Sequence, residues 1–256
     1  MGEPVPVTEG RKRAQLLRYD LDLGGAPIRD LFGFVERSFT DIFIARRPIN
    51  SGPQGALIRH GNRWVILVNT ADSLLVRQRF TAAHELGHYL FDRDRGPLLV
   101  DQDVYAAAGD PVEVRANAFA VHLLLPADVL RSRVADVSFS LQSDEDIVGL
   151  AMNFGISITS LAWHLRNVCG ISEAERRRIA QIKVFKVSTR MGLTDRLTAE
   201  IKARNTTGWP RRYVSLVAKA YDRGQIDQSQ LKELIGPDPA LAELLLGEDD
   251  LSSAQW

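Results

Sequence analysis

The sequence between residues 79 and 91 reads RFTAAHELGHYLF, and the fold around it follows from the spacing of these residues. Apolar residues recur every three or four positions, which predicts a largely buried helix over about Leu74 to Phe91. His84 and His88 are four residues apart, so their side chains leave such a helix within about 40° of each other. Gly87 lies inside the helix, where glycine costs about 1 kcal/mol relative to alanine, and this indicates close approach by another element.

This spacing is typical of a metal site. Two imidazoles four residues apart can occupy two positions on one Zn²⁺, and Glu85 can act as general base on the metal's water without being a ligand. The alternative is a solvated helix with two surface histidines. The apolar surroundings argue against it, because unpaired histidines on a buried helix are costly. The pattern therefore predicts that His84 and His88 bind a metal and that Glu85 is catalytic.

A third ligand is expected, since a catalytic zinc usually has three protein ligands and one water. Glu113 lies near the start of the next predicted helix, which Asp110 and Pro111 open and Pro126 ends. By spacing alone, Glu113 is equally a ligand or a first-turn acid that interacts favourably with the helix dipole. His122 follows nine positions later, about 180° around the helix, so it should face away from the metal.

Other polar residues have candidate supporting roles. Asn117, one turn after Glu113, is the best candidate to hydrogen-bond a ligand histidine, with simple helix packing as the alternative. Tyr105 could offer its hydroxyl to the transition state or could only anchor its loop. His60 lies at a predicted hairpin turn, which favours a surface role. Cys169 is expected to be a buried structural thiol.

Several stretches together resemble the ImmA/IrrE family of bacterial metallopeptidases. They are RFTAAHELGHYLF at 79–91, EVRANAFA at 113–120, LLLP at 123–126 and the preceding VILVN at 65–69. The resemblance covers residues 31–126 closely and residues 144–170 more loosely. It implies that His84, His88 and Glu113 bind zinc and that Glu85 is the catalytic base. It also implies a zincin-like fold of the gluzincin type, in which a small sheet packs on the active-site helices.

The remaining pattern predicts an α+β chain whose sheet lies near the N-terminus. Strands are expected over residues 40–45, 56–60 and 63–69, the last two joined by a hairpin turn at Gly61-Asn62. Every later element is expected to be helical. We predict three parts: a zinc metallopeptidase domain over residues 1–135, a helix-turn-helix-like region over 136–204, and a C-terminal helical segment with an acidic tail over 205–256.

Residues 146–167 have the pattern of a helix-turn-helix, with Gly155 at the turn. A DNA-binding function would use the second helix, around Thr159 and Trp163. That helix carries only Arg166 as a fixed cation, whereas contacts to DNA phosphates need Lys or Arg. The pattern therefore favours a module for packing or substrate docking, and direct DNA binding stays an open alternative.

Charge and composition narrow the class of protein. Lys and Arg number 32 and so do Asp and Glu, so the chain has no overall attraction to nucleic acid or acidic membranes. No stretch approaches the roughly 20 apolar residues of a membrane span, and no apolar run follows the basic N-terminal residues. The single cysteine cannot form an internal disulfide. We expect a cytoplasmic protein without a membrane partner.

These patterns predict a zinc-dependent endopeptidase. The two histidines and the glutamate favour zinc, and manganese or iron stays open. The resemblance implies a helix-turn-helix repressor or an antitoxin as substrate, whose site-specific cleavage switches transcription in a stress, mobile-element or toxin–antitoxin system. We expect an extended substrate to pair with an edge strand at residues 63–69. The alternative is a non-enzymatic DNA- or protein-binding transcriptional regulator that keeps a structural metal site.

Overall fold

The computed structural model describes residues 4–71, 74–101, 109–204 and 208–236. This part of the chain combines a small sheet with a majority of helices, which confirms the predicted α+β class. The strands are β1 (Ile42–Arg47), β2 (Gly55–His60), β3 (Arg63–Asn69) and β4 (Leu98–Asp101). The first helices are α1 (Val5–Asp20), α2 (Leu31–Ser38), α3 (Leu75–Phe91), α4 (Pro111–Leu124) and α5 (Ala127–Ala135). The later helices are α6 (Asp144–Phe154), α7 (Ile158–Cys169), α8 (Glu173–Ala180), α9 (Val184–Arg190), α10 (Thr194–Arg204), α11 (Arg211–Asp222) and α12 (Gln228–Ile235).

The strand order in the sheet is β1-β3-β2-β4. β1 is parallel to β3, and β2 is antiparallel to both β3 and β4. The predicted hairpin of β2 and β3 is confirmed, and Gly61 adopts a positive φ of 61° in its turn. The expectation that residues 63–69 form an edge strand is wrong, because β3 lies between β1 and β2. The expectation that all strands precede residue 70 is also wrong, because β4 forms one edge of the sheet.

The two edges of the sheet differ. At the β1 edge, Arg46 and Gly208 exchange backbone hydrogen bonds of 3.0 and 3.1 Å, and the Arg47 guanidinium lies 3.5 Å from the centre of the Trp209 ring. At the opposite edge, β4 pairs only with β2 within the described residues. Gly208 and Trp209 therefore cover the β1 edge of the sheet. Among the described residues, the outer side of β4 is the edge that remains open.

Alternating side chains attach the sheet to the helices behind it. Trp64, Ile66 and Val68 of β3 are buried, whereas the residues between them are half-buried on the other face. Helix α3 packs on this inner face, and α4 packs on α3. One core cluster of buried residues extends from Ala14 of α1 to Val187 of α9, and a small separate cluster joins α11 to α12. The division of the chain into three parts stays a prediction.

The helix-turn-helix-like pair of α6 and α7 is hydrogen-bonded to α3, the helix that carries His84. Gly155 ends α6 with a φ of 62°, as its place at the turn predicts. The buried guanidinium of Arg79 on α3 donates to the carbonyl oxygens of Gly155, Arg29 and Ile28, at 3.1, 2.8 and 2.7 Å. These bonds satisfy carbonyl groups at a helix end and in a loop, so the start of α3 is held by both neighbours.

A separate observation concerns membranes. Among the described residues, no single helix is both long and apolar enough to cross a membrane, and the α6–α7 pair meets that test of length and composition only when its helices are combined across a 100° bend.

Candidate metal centre

Helices α3 and α4 bring three candidate ligands together. The Nε2 atoms of His84 and His88 lie 2.9 Å apart, as expected for residues one turn apart on α3. The Glu113 carboxylate of α4 reaches both rings, with Oε2 3.1 Å from the His84 Nε2 and Oε1 3.4 Å from the His88 Nε2. One potential ligand atom from each residue lies within 4.8 Å of the others.

Close packing of the two helices explains Gly87. A Cβ atom added there would lie 3.3 Å from the Ala116 Cα and 3.2 Å from the Phe119 ring. A larger side chain would push α4, and with it Glu113, away from the histidines. The close approach that a glycine inside the helix predicted is therefore confirmed.

Each histidine makes a second contact through its other ring nitrogen. The Nδ1 of His84 lies 3.0 Å from Oδ1 of Asn117, so the predicted contact between this residue and a ligand histidine is present. The Nδ1 of His88 lies 3.1 Å from Oδ2 of Asp92, a carboxylate that can only accept. His88 therefore donates through Nδ1, and as a neutral ring it turns the lone pair of Nε2 towards Glu113. Such contacts orient metal-binding histidines.

The chemistry of this donor set fits a divalent cation. In neutral imidazoles that donate through Nδ1, each Nε2 atom carries a lone pair. The two Nε2 atoms lie 2.9 Å apart, beside the Glu113 carboxylate. Without a positive charge among them these groups repel. Two nitrogens bound to one zinc at about 2.0–2.1 Å lie about 3.3 Å apart, close to the observed separation. When these rings instead turn an Nε2–H group towards the carboxylate, the hydrogen bonds from His84, and then from His88, hold the pKa of the Glu113 carboxyl well below its ordinary range. Glu113 is therefore anionic at neutral pH, the form that binds metals.

Glu85 lies beside the cluster but outside it. Its side chain is fully buried, and strand β2 passes it closely. A Cβ atom added to Gly55 would lie 2.2 Å from Oε1 of Glu85 and 2.5 Å from Cγ2 of Thr81. A larger residue at this position of β2 would have to displace the Glu85 carboxylate or the Thr81 methyl group, so the strand's backbone forms one wall around the carboxylate.

The other candidates from the sequence lie elsewhere or outside the described residues. His122 is buried but does not join the cluster, and its ring lies edge-on to His164 of α7 at 4.7 Å. His60 is exposed at the end of β2, as predicted. Cys169 is half-buried, and burial raises the pKa of its thiol. Tyr105 lies outside the described residues.

Acid is expected to destabilise the fold through the buried pair of His122 and His164. Burial lowers the pKa of His164 to about 4, and burial with the nearby charge of His164 lowers the pKa of His122 to about 2. Both are neutral in the fold, whereas the unfolded chain protonates them below about pH 6.5. The contribution of the two neutral histidines to the free energy of unfolding should be fully present above pH 6.5. Between pH 6.5 and 4, the free energy of unfolding should fall by about 1.4 kcal/mol per pH unit for each histidine. Urea titrations at several pH values measure this slope.

A non-titrating variant isolates that contribution. Phe at position 122 keeps the edge-on ring contact, and Gln at 164 can still donate to the Leu125 carbonyl oxygen, which His164 Nε2 contacts at 2.9 Å. The double variant His122→Phe/His164→Gln should therefore lose less stability than the wild type on acidification. Parallel curves for the two proteins would contradict this interpretation.

The fold and the site together define a class of protein. A buried HExxH helix, a carboxylate from the following helix and a small mixed sheet make up the zincin-like metallopeptidase arrangement. The family profile described as the IrrE N-terminal-like domain (Peptidase_M78) matches residues 38–165, half of the chain, and the chain belongs to this family. The resemblance expected from the sequence is thus confirmed, and membership implies a metallopeptidase-like function. A comparison with curated proteins finds no match.

Proposed function

We propose that this chain is a zinc-dependent endopeptidase that cuts a regulatory protein at a defined site. The observation that carries the proposal is the convergence of His84, His88 and Glu113 beside the buried carboxylate of Glu85. Two neutral imidazoles and one carboxylate leave a fourth position of a tetrahedral zinc for water, which is the ligand count of a catalytic site.

Each residue then has a separate role. His84, His88 and Glu113 would hold the zinc ion. When bound, zinc lowers the pKa of a coordinated water and polarises the carbonyl of the peptide bond to be cut. Glu85 accepts the proton of the attacking water and returns it to the leaving nitrogen. The burial of Glu85 supports this role, because a carboxylate away from bulk water is a stronger base.

We propose that the substrate adds as an extended strand to the open edge of β4, in place of the β3 edge expected from the sequence. Gly55 of β2 pairs with Asp101 of β4 and also lies against Glu85. The β4 backbone is therefore one strand spacing, about 4.8 Å, beyond the strand that contacts this carboxylate. Edge strands bind extended peptides through backbone hydrogen bonds, and the exposed Leu98 and Val100 offer apolar contacts.

The proposed substrate is a helix-turn-helix repressor or an antitoxin, whose cleavage would control transcription in a stress, mobile-element or toxin–antitoxin system. Support comes from the resemblance to the ImmA/IrrE family, to which the chain belongs. Direct DNA binding is not part of the proposal. In the helix-turn-helix-like pair, Arg166 faces Glu173 at 3.5 Å, and the Arg176 guanidinium lies over the exposed Trp163 ring at 4.1 Å. These cations already have protein partners.

The substrate class can be tested by co-expression. This chain would be produced together with each helix-turn-helix protein that the neighbouring genes encode, and the intact mass of each such partner would be measured. We expect two fragments that sum to the full-length partner, and an unfolded casein control left largely intact. Cleavage of casein at many sites without a discrete cut in the partner would contradict the regulatory assignment.

Substitution of Gly55 by Ala should reduce cleavage strongly without removing the metal. The added methyl group would lie 2.2 Å from Oε1 of Glu85, so the carboxylate must move. A displacement of about 1 Å can cost about 100-fold in rate, and we expect a loss of that size in kcat/KM. Gly96→Ala is the matched control, because a Cβ atom there meets nothing within 4 Å. Equal activity of the two variants would show that the Gly55 contact does not position Glu85.

A further inference from the structure

A row of charged side chains connects His88 to helices α4 and α1. Asp92, which is 1% exposed, faces the His88 Nδ1 through Oδ2 at 3.1 Å and the Arg115 Nη2 through Oδ1 at 2.7 Å. The Nη1 of Arg115 lies 3.4 Å from a carboxylate oxygen of Glu9 on α1. None of these three charged residues belongs to the cluster of candidate metal ligands.

The position of Arg115 connects both ligand helices. It follows Glu113 by two residues on α4, and its guanidinium lies over the Phe91 ring at 4.6 Å, near the end of α3. Helix α1 closes on the same point, since a Cβ atom added to Gly10 would lie 2.3 Å from the Arg115 carbonyl oxygen. Arg115 is therefore held in place by α1 while it pairs with the residue that orients His88.

We propose that Asp92 and Arg115 are positioning residues of the metal centre. Asp92 accepts from the Nδ1 of His88 and so presents the Nε2 of this ring to the metal. Its ion pair with Arg115 holds α4 against the end of α3, and thereby keeps the Glu113 carboxylate in reach of His88. This inference rests on the proposed metal-dependent function, and it adds a requirement outside the ligand set.

Burial makes this pair more than a surface ion pair. A carboxylate removed from water is costly unless charged and hydrogen-bonding partners surround it. Arg95 also faces Oδ1 of Asp92, at 3.2 Å, but its side chain is 57% exposed and it lies just beyond α3 on the same segment as Asp92. Arg95 can offset the charge of Asp92 without joining α3 to α4, so it offers a matched control for the role of Arg115.

The test measures zinc affinity of the full chain by competition with a chromophoric chelator. The variants are Asp92→Asn, which is nearly isosteric, Arg115→Met, which keeps an apolar stem over Phe91, and Arg95→Met. Loss of a group that supports a metal ligand typically weakens metal binding by about 10–100-fold. We expect losses of this size for Asp92→Asn and Arg115→Met, and a change within about twofold for Arg95→Met. The absorption spectrum of the Co²⁺-loaded protein should change in the first two variants, because the ligand geometry changes.

Wild-type zinc affinity in Asp92→Asn would overturn the inference, as would equal losses in Arg115→Met and Arg95→Met. If Arg115→Met does not fold, Asp92→Asn decides alone, with its circular dichroism compared with that of the metal-free wild type. A different result would contradict the proposed peptidase function. A wild-type protein that binds zinc and cuts no partner would contradict the peptidase, whereas affinities that fall as expected would still support the positioning role.

Discussion

Glu85→Gln is expected to abolish cleavage of the protein substrate while leaving zinc bound. Glutamine has nearly the same shape, but it cannot accept the proton of the attacking water. Loss of a general base typically costs about 10²–10⁴-fold, and we expect a loss of about 1000-fold in kcat. Single-turnover kinetics with the helix-turn-helix partner measure the effect, and metal analysis of the same sample measures zinc content.

Two comparisons make this prediction specific. Glu233→Gln changes an exposed glutamate of α12 in the same way and should leave the rate unchanged. Glu85→Gln protein should still contain the wild-type amount of zinc, because Glu85 lies outside the cluster of His84, His88 and Glu113. A variant that cuts at the wild-type rate would exclude Glu85 as the base. A variant that loses zinc would indicate that Glu85 supports the metal instead.

Glu113→Gln is expected to remove most of the bound zinc. Zinc-binding free energies of about 10–16 kcal/mol, shared among three protein ligands, give each ligand several kcal/mol, so the dissociation constant should increase roughly a thousand-fold. A neutral amide also leaves the charge of the cation less balanced than the carboxylate, whose pKa the contacts with His84 and His88 hold low. Chelator competition measures the dissociation constant.

Stability provides an independent measure of the same loss. A ligand that binds only the folded chain raises the unfolding midpoint, and this effect disappears when the affinity is lost. Zinc should therefore raise the Tm of the wild type and of His60→Ala, which changes an exposed histidine, but not the Tm of Glu113→Gln. If Glu113→Gln binds zinc as tightly as the wild type, the alternative in which Glu113 is only a first-turn acid would be preferred.

The local elements of the site are predictable from the sequence because local spacing determines them. The four-residue separation of His84 and His88 already places both imidazoles on one side of a helix. Asp110 and Pro111 predict the start of α4, and Asp110 does accept from the Val112 backbone N–H at 2.9 Å. Whether Glu113 then reaches the histidines depends on how α4 packs on α3, and spacing along one helix contains no information on that.

Features that depend on distant contacts were missed for the same reason. β3 has the strongest strand pattern, but its central place follows from pairing with β1 and β2. β4 has four residues and a weak pattern, and it forms by pairing with β2. Asp92 follows His88 by four residues, which was a usable signal for a contact between them. Its importance became apparent only with Arg115, which approaches from α4.

The most direct test of the central claim is hydrolysis of the helix-turn-helix partner in water enriched in ¹⁸O. Metal-free protein would be incubated with the partner before and after one equivalent of zinc is restored, and the fragments would be analysed by mass spectrometry. We predict no cleavage without zinc, and one cut with zinc that places a single ¹⁸O in the new carboxyl terminus. Fragments that form equally without zinc, or equally with Glu85→Gln, would contradict a metal-dependent peptidase built on His84, Glu85, His88 and Glu113.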